Sequence, residues 1–190
     1  MNKIKSVKLE ATVFTPGDYP APKEKEVVFM GRSNVGKSSL LNKIFGRKMA
    51  HTSSNPGKTR SINFFTVNSI YYFVDLPGYG YAHASKKEVQ RWQELIVNYF
   101  ENRESLNLAV MLIDGRHPLQ KKDLEMLEWL KAYTVPFIVA ETKIDKLSRS
   151  ERFKMNKLHS KELIEWDSPL LIPVSAKTGE GINKLLGILI

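Results

Sequence analysis

Apolar residues recur along the chain in two patterns that alternate from one end to the other. Short alternating or continuous apolar runs are typical of strands, and apolar positions three and four apart are typical of helices. Strands are predicted over residues 6–14, 26–30, 62–67, 70–76, 108–113, 136–141 and 170–174. Helices are predicted over residues 37–45, 85–103, 119–133, 148–165 and 182–190. Asn68 and Ser69 separate the third and fourth strands and predict a hairpin.

This order of elements predicts an α/β fold in three layers. Strands that alternate with helices favour a mostly parallel sheet covered by helices on both faces, and the hairpin adds one antiparallel strand. The apolar and aromatic stripe of residues 85–103 is expected to pack in the core. The length fits a single domain over residues 1–190, with residues 1–23 as an N-terminal strand and loop extension.

Composition excludes several classes of protein. The chain has no cysteine, which excludes a disulfide scaffold, thiolate zinc sites, iron–sulfur clusters and a cysteine nucleophile. No run of about 18 apolar residues exists, so no transmembrane helix is expected. The first residues lead into an alternating segment rather than an apolar run, so no signal peptide is expected. These features predict a cytoplasmic protein.

The charge is strongly positive. Lys and Arg total 29 against 20 Asp and Glu, a formal net charge of +9, which attracts polyanions such as nucleic acid or ribonucleoprotein. The basic residues Arg149, Arg152, Lys154, Lys157 and Lys161 are expected to be spread around one helix rather than to form a stripe. Two interpretations of this cluster are left open: it faces only solvent, or it contacts RNA.

A phosphate-binding loop is predicted between the second strand and the first helix. The segment matches the pattern G-x-x-x-x-G-K-[ST], whose required context is a preceding strand and a following helix. Its residues are Gly31, Arg32, Ser33, Asn34, Val35, Gly36, Lys37 and Ser38. Glycines let backbone N–H groups surround phosphates, the lysine reaches the outer phosphates, and the serine hydroxyl can bind magnesium.

Two further segments are expected to complete the magnesium and γ-phosphate site. Asp75, Leu76, Pro77 and Gly78 follow a strand, where an aspartate can hold magnesium and a glycine N–H can contact a terminal phosphate. A polar loop contains Gly57, Lys58, Thr59, Arg60 and Ser61. Its threonine can complete the magnesium shell when a γ-phosphate is bound. Thr59 is preferred to Thr52 because Gly57 frees the backbone and a β-rich run follows.

The base is expected to bind at two later strand ends. Asp145 can accept hydrogen bonds from N1–H and the 2-amino group of guanine, a donor pair that adenine lacks. It belongs to the segment Thr142, Lys143, Ile144 and Asp145, and a second segment, Val174, Ser175 and Ala176, can offer a backbone N–H to the guanine carbonyl. All these segments follow strands in chain order, and ligands bind at the carboxyl ends of parallel strands.

These motifs resemble those of the bacterial EngB family, also called YihA or YsxC, within the TrmE-Era-EngA-EngB-septin-like GTPases. The resemblance covers nearly the whole chain, and the segments after Asp75 and around Thr59 are its most specific parts. It implies a P-loop GTPase fold and a magnesium-dependent GTPase that acts in assembly of the large ribosomal subunit and is required for normal septation. It also implies metal ligands Ser38, Thr59 and Asp75, and catalytic roles for Lys37, Thr59, Gly78 and Asn34.

Three positions carry further expectations. Thr142 stands where many GTPases have asparagine, so bracing of neighbouring loops and nucleotide affinity are expected to be weaker. Tyr79 stands where many GTPases have the glutamine that orients the attacking water, so intrinsic hydrolysis is expected to be slow. Asn34 is a candidate potassium ligand by resemblance to related GTPases, while an asparagine that only suits the loop backbone is the alternative.

Two other functions stay open at this point. One is a division-associated regulator that acts through protein partners without binding ribosomes. Another is an ATP-dependent kinase with the same phosphate loop, which Asp145 argues against. A monomer is expected.

Overall fold

The central sheet organises the chain and brings the motifs together at one edge. A computed structural model describes residues 4–50, 61–79, 86–167 and 169–190, without the side chains of residues 86–89 and 92. The strands in these ranges are Val7–Val13 (β1), Lys25–Gly31 (β2), Ile62–Val67 (β3), Tyr71–Asp75 (β4), Leu106–Asp114 (β5), Phe137–Thr142 (β6) and Leu171–Pro173 (β7). The helices there are Lys37–Phe45 (α1), Lys86–Asn102 (α2), Lys121–Ala132 (α3), Arg149–Glu162 (α4) and Ile182–Leu189 (α5).

The strand order is β1-β3-β4-β2-β5-β6-β7, and β3 alone of these strands runs against the others. The hairpin prediction is confirmed, because β3 and β4 pair antiparallel across a turn at Asn68 and Ser69. Both turn residues have positive φ, 50° and 65°, as in turns whose twist suits a hairpin. The predicted N-terminal strand is β1, which pairs with β3.

Two apolar cores lie on opposite faces of the sheet, which confirms the three-layer prediction. In β2, Val27 and Phe29 face one core and Val28 and Met30 face the other, as the period of two in a strand requires. Helices α1 and α5 cover the first face, and α2 and α3 cover the second. Leu95, Ile96, Tyr99 and Phe100 of α2 are buried, so the stripe of that helix packs in the core as expected.

The predicted helix over residues 148–165 begins one residue before α4 and ends three residues after it. Ser148 caps the start of α4 by accepting a hydrogen bond from the Glu151 N–H. The helix ends at Glu162, and a separate 3₁₀ turn follows over Ile164–Trp166. Buried Leu163 lies between them and closes the helix by donating its N–H to the His159 carbonyl. Over three residues the spacing of apolar side chains does not separate an α-helix from a tighter 3₁₀ turn.

Candidate nucleotide-binding site

The predicted phosphate loop runs from the end of β2 into the first turn of α1. Asn34 and Gly36 have φ values of 62° and 109°, so the backbone turns through left-handed conformations twice in three residues. Gly36 precedes α1, and no side chain caps that helix. The N–H groups of the first turn are therefore available to an anion, and the helix end adds its partial positive charge.

Lys37 and Asp75 form a buried ion pair beneath this loop. The lysine belongs to the first turn of α1, and the aspartate ends β4 beside Phe29 of β2. Their side chains are only 7% and 2% exposed. The structure thus brings two predicted site residues from different motifs into contact, at the carboxyl ends of neighbouring parallel strands.

The segment after Asp75 lies directly against the phosphate loop. The Ser33 N–H donates to the Tyr79 carbonyl at 2.9 Å, and the Tyr79 N–H donates to the Gly31 carbonyl at 3.3 Å. Gly78 lies so close that a Cβ there would be 3.2 Å from the Ser33 nitrogen. Any side chain at position 78 would therefore push the two loops apart.

The Tyr79 side chain is engaged away from the phosphate loop. Its ring is 4% exposed, and its hydroxyl donates to Asp123 Oδ1 of α3 at 3.1 Å. Burial, and then the neighbouring Asp123 carboxylate, raise the pKa of Tyr79 well above its ordinary value. The phenol is therefore a neutral hydrogen-bond donor fixed to α3, which leaves it poorly suited to orient a water molecule.

The residues predicted to read guanine line one cavity of about 360 Å³. It is lined by Gly36, Ser39, Leu40, Thr142, Lys143, Asp145, Lys146, Val174, Ala176 and Lys177. Asp145 Oδ1 accepts a hydrogen bond from the buried Ser175 hydroxyl at 2.7 Å, and this bond is the main reason why the pKa of Asp145 is lowered. The carboxylate is held in position and remains ionised.

Thr142 braces the loops in place of the usual asparagine. Its hydroxyl lies 2.7 Å from the Val35 carbonyl and 2.9 Å from the Ile113 carbonyl, and its side chain is buried. One hydroxyl proton serves two acceptors, whereas an asparagine amide would bring two protons. The brace that sequence analysis expected to be weak is therefore present, with one donor instead of two.

Lys143 connects the cavity to the phosphate loop and to a residue that sequence analysis missed. Its ammonium donates to the Asn34 carbonyl at 2.6 Å and to Asp114 Oδ2 at 2.9 Å. Asp114 also accepts two side-chain hydrogen bonds from Arg116. Burial works against ionisation of Asp114, but these bonds outweigh it and lower its pKa. The sequence feature that could have identified Asp114 as a site residue is its position at the carboxyl end of β5.

The remaining predicted residues divide into those that the structure describes and those outside it. Ser38 is the second residue of α1, Ile144 is buried next to Asp145, and Ser61 is buried just before β3. Val174 is buried and lines the cavity. Leu76 is buried, and its N–H donates to the Phe29 carbonyl. Gly57, Lys58, Thr59 and Arg60 lie outside the described residues.

A buried histidine supports the strand that leads into the segment predicted to bind guanine. His159 of α4 contacts Glu141 Oε1 through Nδ1 at 2.5 Å and the His117 carbonyl through Nε2 at 2.8 Å. Burial favours the neutral ring, but these two partners outweigh it and raise the pKa of His159 above 6.5. The charged ring can donate both N–H groups at once.

This raised pKa makes stability depend on pH. The charged His159 ring stabilises the folded state, and this contribution is complete below about pH 6.5, the pKa of the histidine in the unfolded chain. It is lost as the pH rises through the higher pKa of His159 in the folded protein. We expect the thermal midpoint to fall across that interval, and we expect His159→Gln to remove this component. His117→Gln is the matched control, because that side chain is exposed. Equal pH dependence in His159→Gln and in the unmodified protein would contradict the assignment.

Comparisons with known proteins agree with this geometry. A family model described as "50S ribosome-binding GTPase" matches residues 26–143. A probable GTP-binding protein EngB of Kosmotoga olearia is 63% identical over 98% of both chains. Its counterpart in Thermotoga maritima is 54% identical over 98% of this chain and 95% of that protein.

Two solved structures have the same fold. A probable GTP-binding protein engB superposes with a TM-score of 0.68 at 29% identity, covering 85% of this chain and 95% of that one. An Era variant of Aquifex aeolicus bound to GDP·AlF4⁻ gives a TM-score of 0.72 at 26% identity, covering 87% of this chain and 56% of that one. Among the helices described here, none is long and apolar enough to cross a membrane.

Proposed function

The chain belongs to the 50S ribosome-binding GTPase family, among the proteins called EngB, and from this premise we propose that it is a guanine-nucleotide switch acting on the large ribosomal subunit during assembly. GTP binding and hydrolysis are the chemistry of this family. The observation that carries the guanine-nucleotide part of this proposal is the Asp145 carboxylate, and the description of the matching family supports the ribosomal part. The carboxylate is ionised, held by Ser175, and lines a cavity that opens beside the phosphate loop.

Each predicted residue has a role in this proposal. Lys37 and the N–H groups from Gly31 to Ser38 bind the phosphates, Lys143 and Asp145 bind the base, and the backbone at Ala176 closes over it. The Gly78 N–H senses the γ-phosphate. Magnesium neutralises charge on the phosphates when it is bound. The donors fit this ion, because Mg²⁺ prefers oxygen ligands, and Ser38 and Asp75 offer a hydroxyl and a carboxylate. Thr59 would supply the third protein oxygen.

Slow intrinsic hydrolysis follows from the position of Tyr79. The side chain that stands where a water-orienting glutamine is common donates to Asp123 instead. Charge that develops on the phosphates must then be stabilised by another group. A potassium ion at Asn34 is our candidate, and the exposed asparagine at the phosphate loop supports it.

We therefore expect phosphate release from GTP to be faster in potassium chloride than in sodium chloride. The φ of 62° at Asn34 complicates a simple alanine variant, because an alanine is strained there. Asn34→Gly keeps the backbone conformation and removes the side chain. We expect both Asn34→Ala and Asn34→Gly to bind GDP and to lose the difference between the two salts. Equal rates of the unmodified protein in both salts would contradict potassium activation.

The test of the proposed function is phosphate release from GTP and from ATP, with and without purified large subunits. We expect release from GTP alone and a faster rate when large subunits are added. No binding to large subunits, together with association with protein partners that persists after nuclease treatment, would favour a division-associated regulator. Equal use of ATP would favour a kinase. In our proposal, loss of this protein impairs septation because ribosome assembly is defective.

A further inference from the structure

Helix α4 has one side that packs on the protein and one side that does not. His159 and Leu163 are fully or almost fully buried on the inner side. Phe153, on the outer side, is 73% exposed, more than any other large apolar residue that the structure describes. A phenylalanine ring is a large apolar surface, and leaving it in water forgoes the gain of burying it. The ring is therefore available to a partner on the outer side of α4.

Basic residues lie near this ring on the surface of α4. Arg149 and Lys157 lie four residues before and after Phe153, so they are its neighbours on the helix surface. Lys154 and Lys161 lie next to Lys157 around the helix, and all four cations are exposed. Within the described part of the chain, none of the four forms an ion pair. These four cations span about 140° of the helix circumference, so the basic residues are spread around the helix as expected, with Arg149 and Lys157 nearest to the ring.

Arg152, the fifth basic residue of α4, differs from the other four in its partners. It lies on the inner side, where its guanidinium pairs with Glu180 at 2.9 Å and also donates to the Leu147 carbonyl. The two carboxylates of α4 also lie away from Phe153. Glu151 accepts the Ser148 N–H in the capping box, and Glu162 accepts the Leu119 N–H. The outer side of α4 around Phe153 thus carries cations and an aromatic ring, with Glu151 near Lys154 at its margin.

We propose that this outer side of α4, formed by Arg149, Phe153, Lys154, Lys157 and Lys161, binds RNA, with an unpaired base stacked on Phe153 and phosphates on the cations. Every base has a flat face that can stack on an aromatic ring, and a cationic surface attracts the phosphates beside it. An acidic protein could also match the charges, but a nucleotide brings a stacking face and a negative charge together in each unit. This inference rests on the proposed function, because it names the surface that meets the ribosomal particle.

The first test measures binding of a fluorescein-labelled single-stranded RNA of about 20 nucleotides by anisotropy across a range of potassium chloride. We expect Lys154→Gln/Lys157→Gln/Lys161→Gln to weaken binding and to reduce the slope of log K against log salt by about two. The matched control is Lys121→Gln/Lys122→Gln/Lys131→Gln, which changes the net charge equally on exposed positions of α3. Binding and slope of the control should stay near those of the unmodified protein.

The second test isolates the ring. We expect Phe153→Leu to weaken RNA binding about tenfold, because an aliphatic side chain keeps apolar area but loses the stacking face. Phe153→Tyr should restore binding. Inorganic polyphosphate, which has no bases, should bind Phe153→Leu and the unmodified protein equally. A fluorescent GDP analogue checks that each variant still binds nucleotide.

Three outcomes would overturn the proposal. RNA affinity that is unchanged in both the lysine and the Phe153 variants would do so, as would equal losses in the α4 and α3 lysine variants. Binding of an acidic peptide in preference to RNA would assign the surface to a protein partner. Sedimentation with large subunits distinguishes a wrong RNA-binding surface from a wrong proposed function. Subunit binding by the unmodified protein and the variants alike would retain the ribosomal role and reject the surface.

Discussion

Replacing Asp145 with asparagine should weaken binding of GTP by about a hundredfold or more, equivalent to about 3 kcal/mol. In our proposal the carboxylate accepts both donors of the guanine edge, and an asparagine amide would turn one acceptor into a donor that faces them. The hydrogen bond from Ser175 holds Asp145 Oδ1 and can persist to the asparagine carbonyl. The loss should therefore reflect recognition of the base, with little change in the loop. Titration calorimetry with GDP and GTP measures it.

Xanthine nucleotides provide the control for this substitution. Xanthine has a carbonyl where guanine has the 2-amino group, so Asp145→Asn should bind xanthosine diphosphate better than the unmodified protein does. The unmodified protein should also bind inosine diphosphate, which lacks the 2-amino group, more weakly than GDP. An Asp145→Asn variant that binds GDP with unchanged affinity would place the base elsewhere in the structure.

Replacing Lys37 with alanine should abolish detectable nucleotide binding and lower the free energy of unfolding by about 3–5 kcal/mol. The two losses have separate causes. The ammonium is the group expected to meet the outer phosphates, and it is also the ion-pair partner of Asp75, which is 2% exposed. Without Lys37 that carboxylate is left buried and without its partner. Chemical denaturation and titration with GDP measure the two effects independently.

Lys43→Ala is the matched control, because Lys43 lies exposed in the last turn of the same helix. Its effect on stability should remain within about 0.5 kcal/mol. The double variant Lys37→Ala/Asp75→Asn should recover part of the stability but none of the nucleotide binding. Unchanged stability in Lys37→Ala would show that the buried pair contributes little, and retained GDP affinity would remove Lys37 from the phosphate site.

The elements that sequence predicts well here are those decided by local rules. The spacing of apolar residues gives α1 and β3 with the bounds that the structure has. The order of strands and helices gives the three layers. The rule that ligands bind at the carboxyl ends of parallel strands places Asp75 and Asp145 at the same edge of the sheet. The structure has both residues there, close to the phosphate loop.

The features that sequence misses depend on side chains that meet across the fold. The contact of Lys143 with Asp114 joins residues 29 apart in sequence, and that of Tyr79 with Asp123 joins residues 44 apart. A pattern in one segment cannot choose between such partners. The same limit applies to α4, where spacing alone does not show that Arg152 turns to Glu180 while its basic neighbours face solvent.

The most direct test of the account is sedimentation of the purified protein with large ribosomal subunits, loaded with GDP or with a non-hydrolysable GTP analogue, across rising potassium chloride. We expect binding with the analogue, weaker binding with GDP, and a steep loss of binding as salt increases, because contacts with phosphates release counterions. No binding to large subunits in either nucleotide state would contradict a switch that acts on the ribosome, even if GTP binding and hydrolysis are as expected.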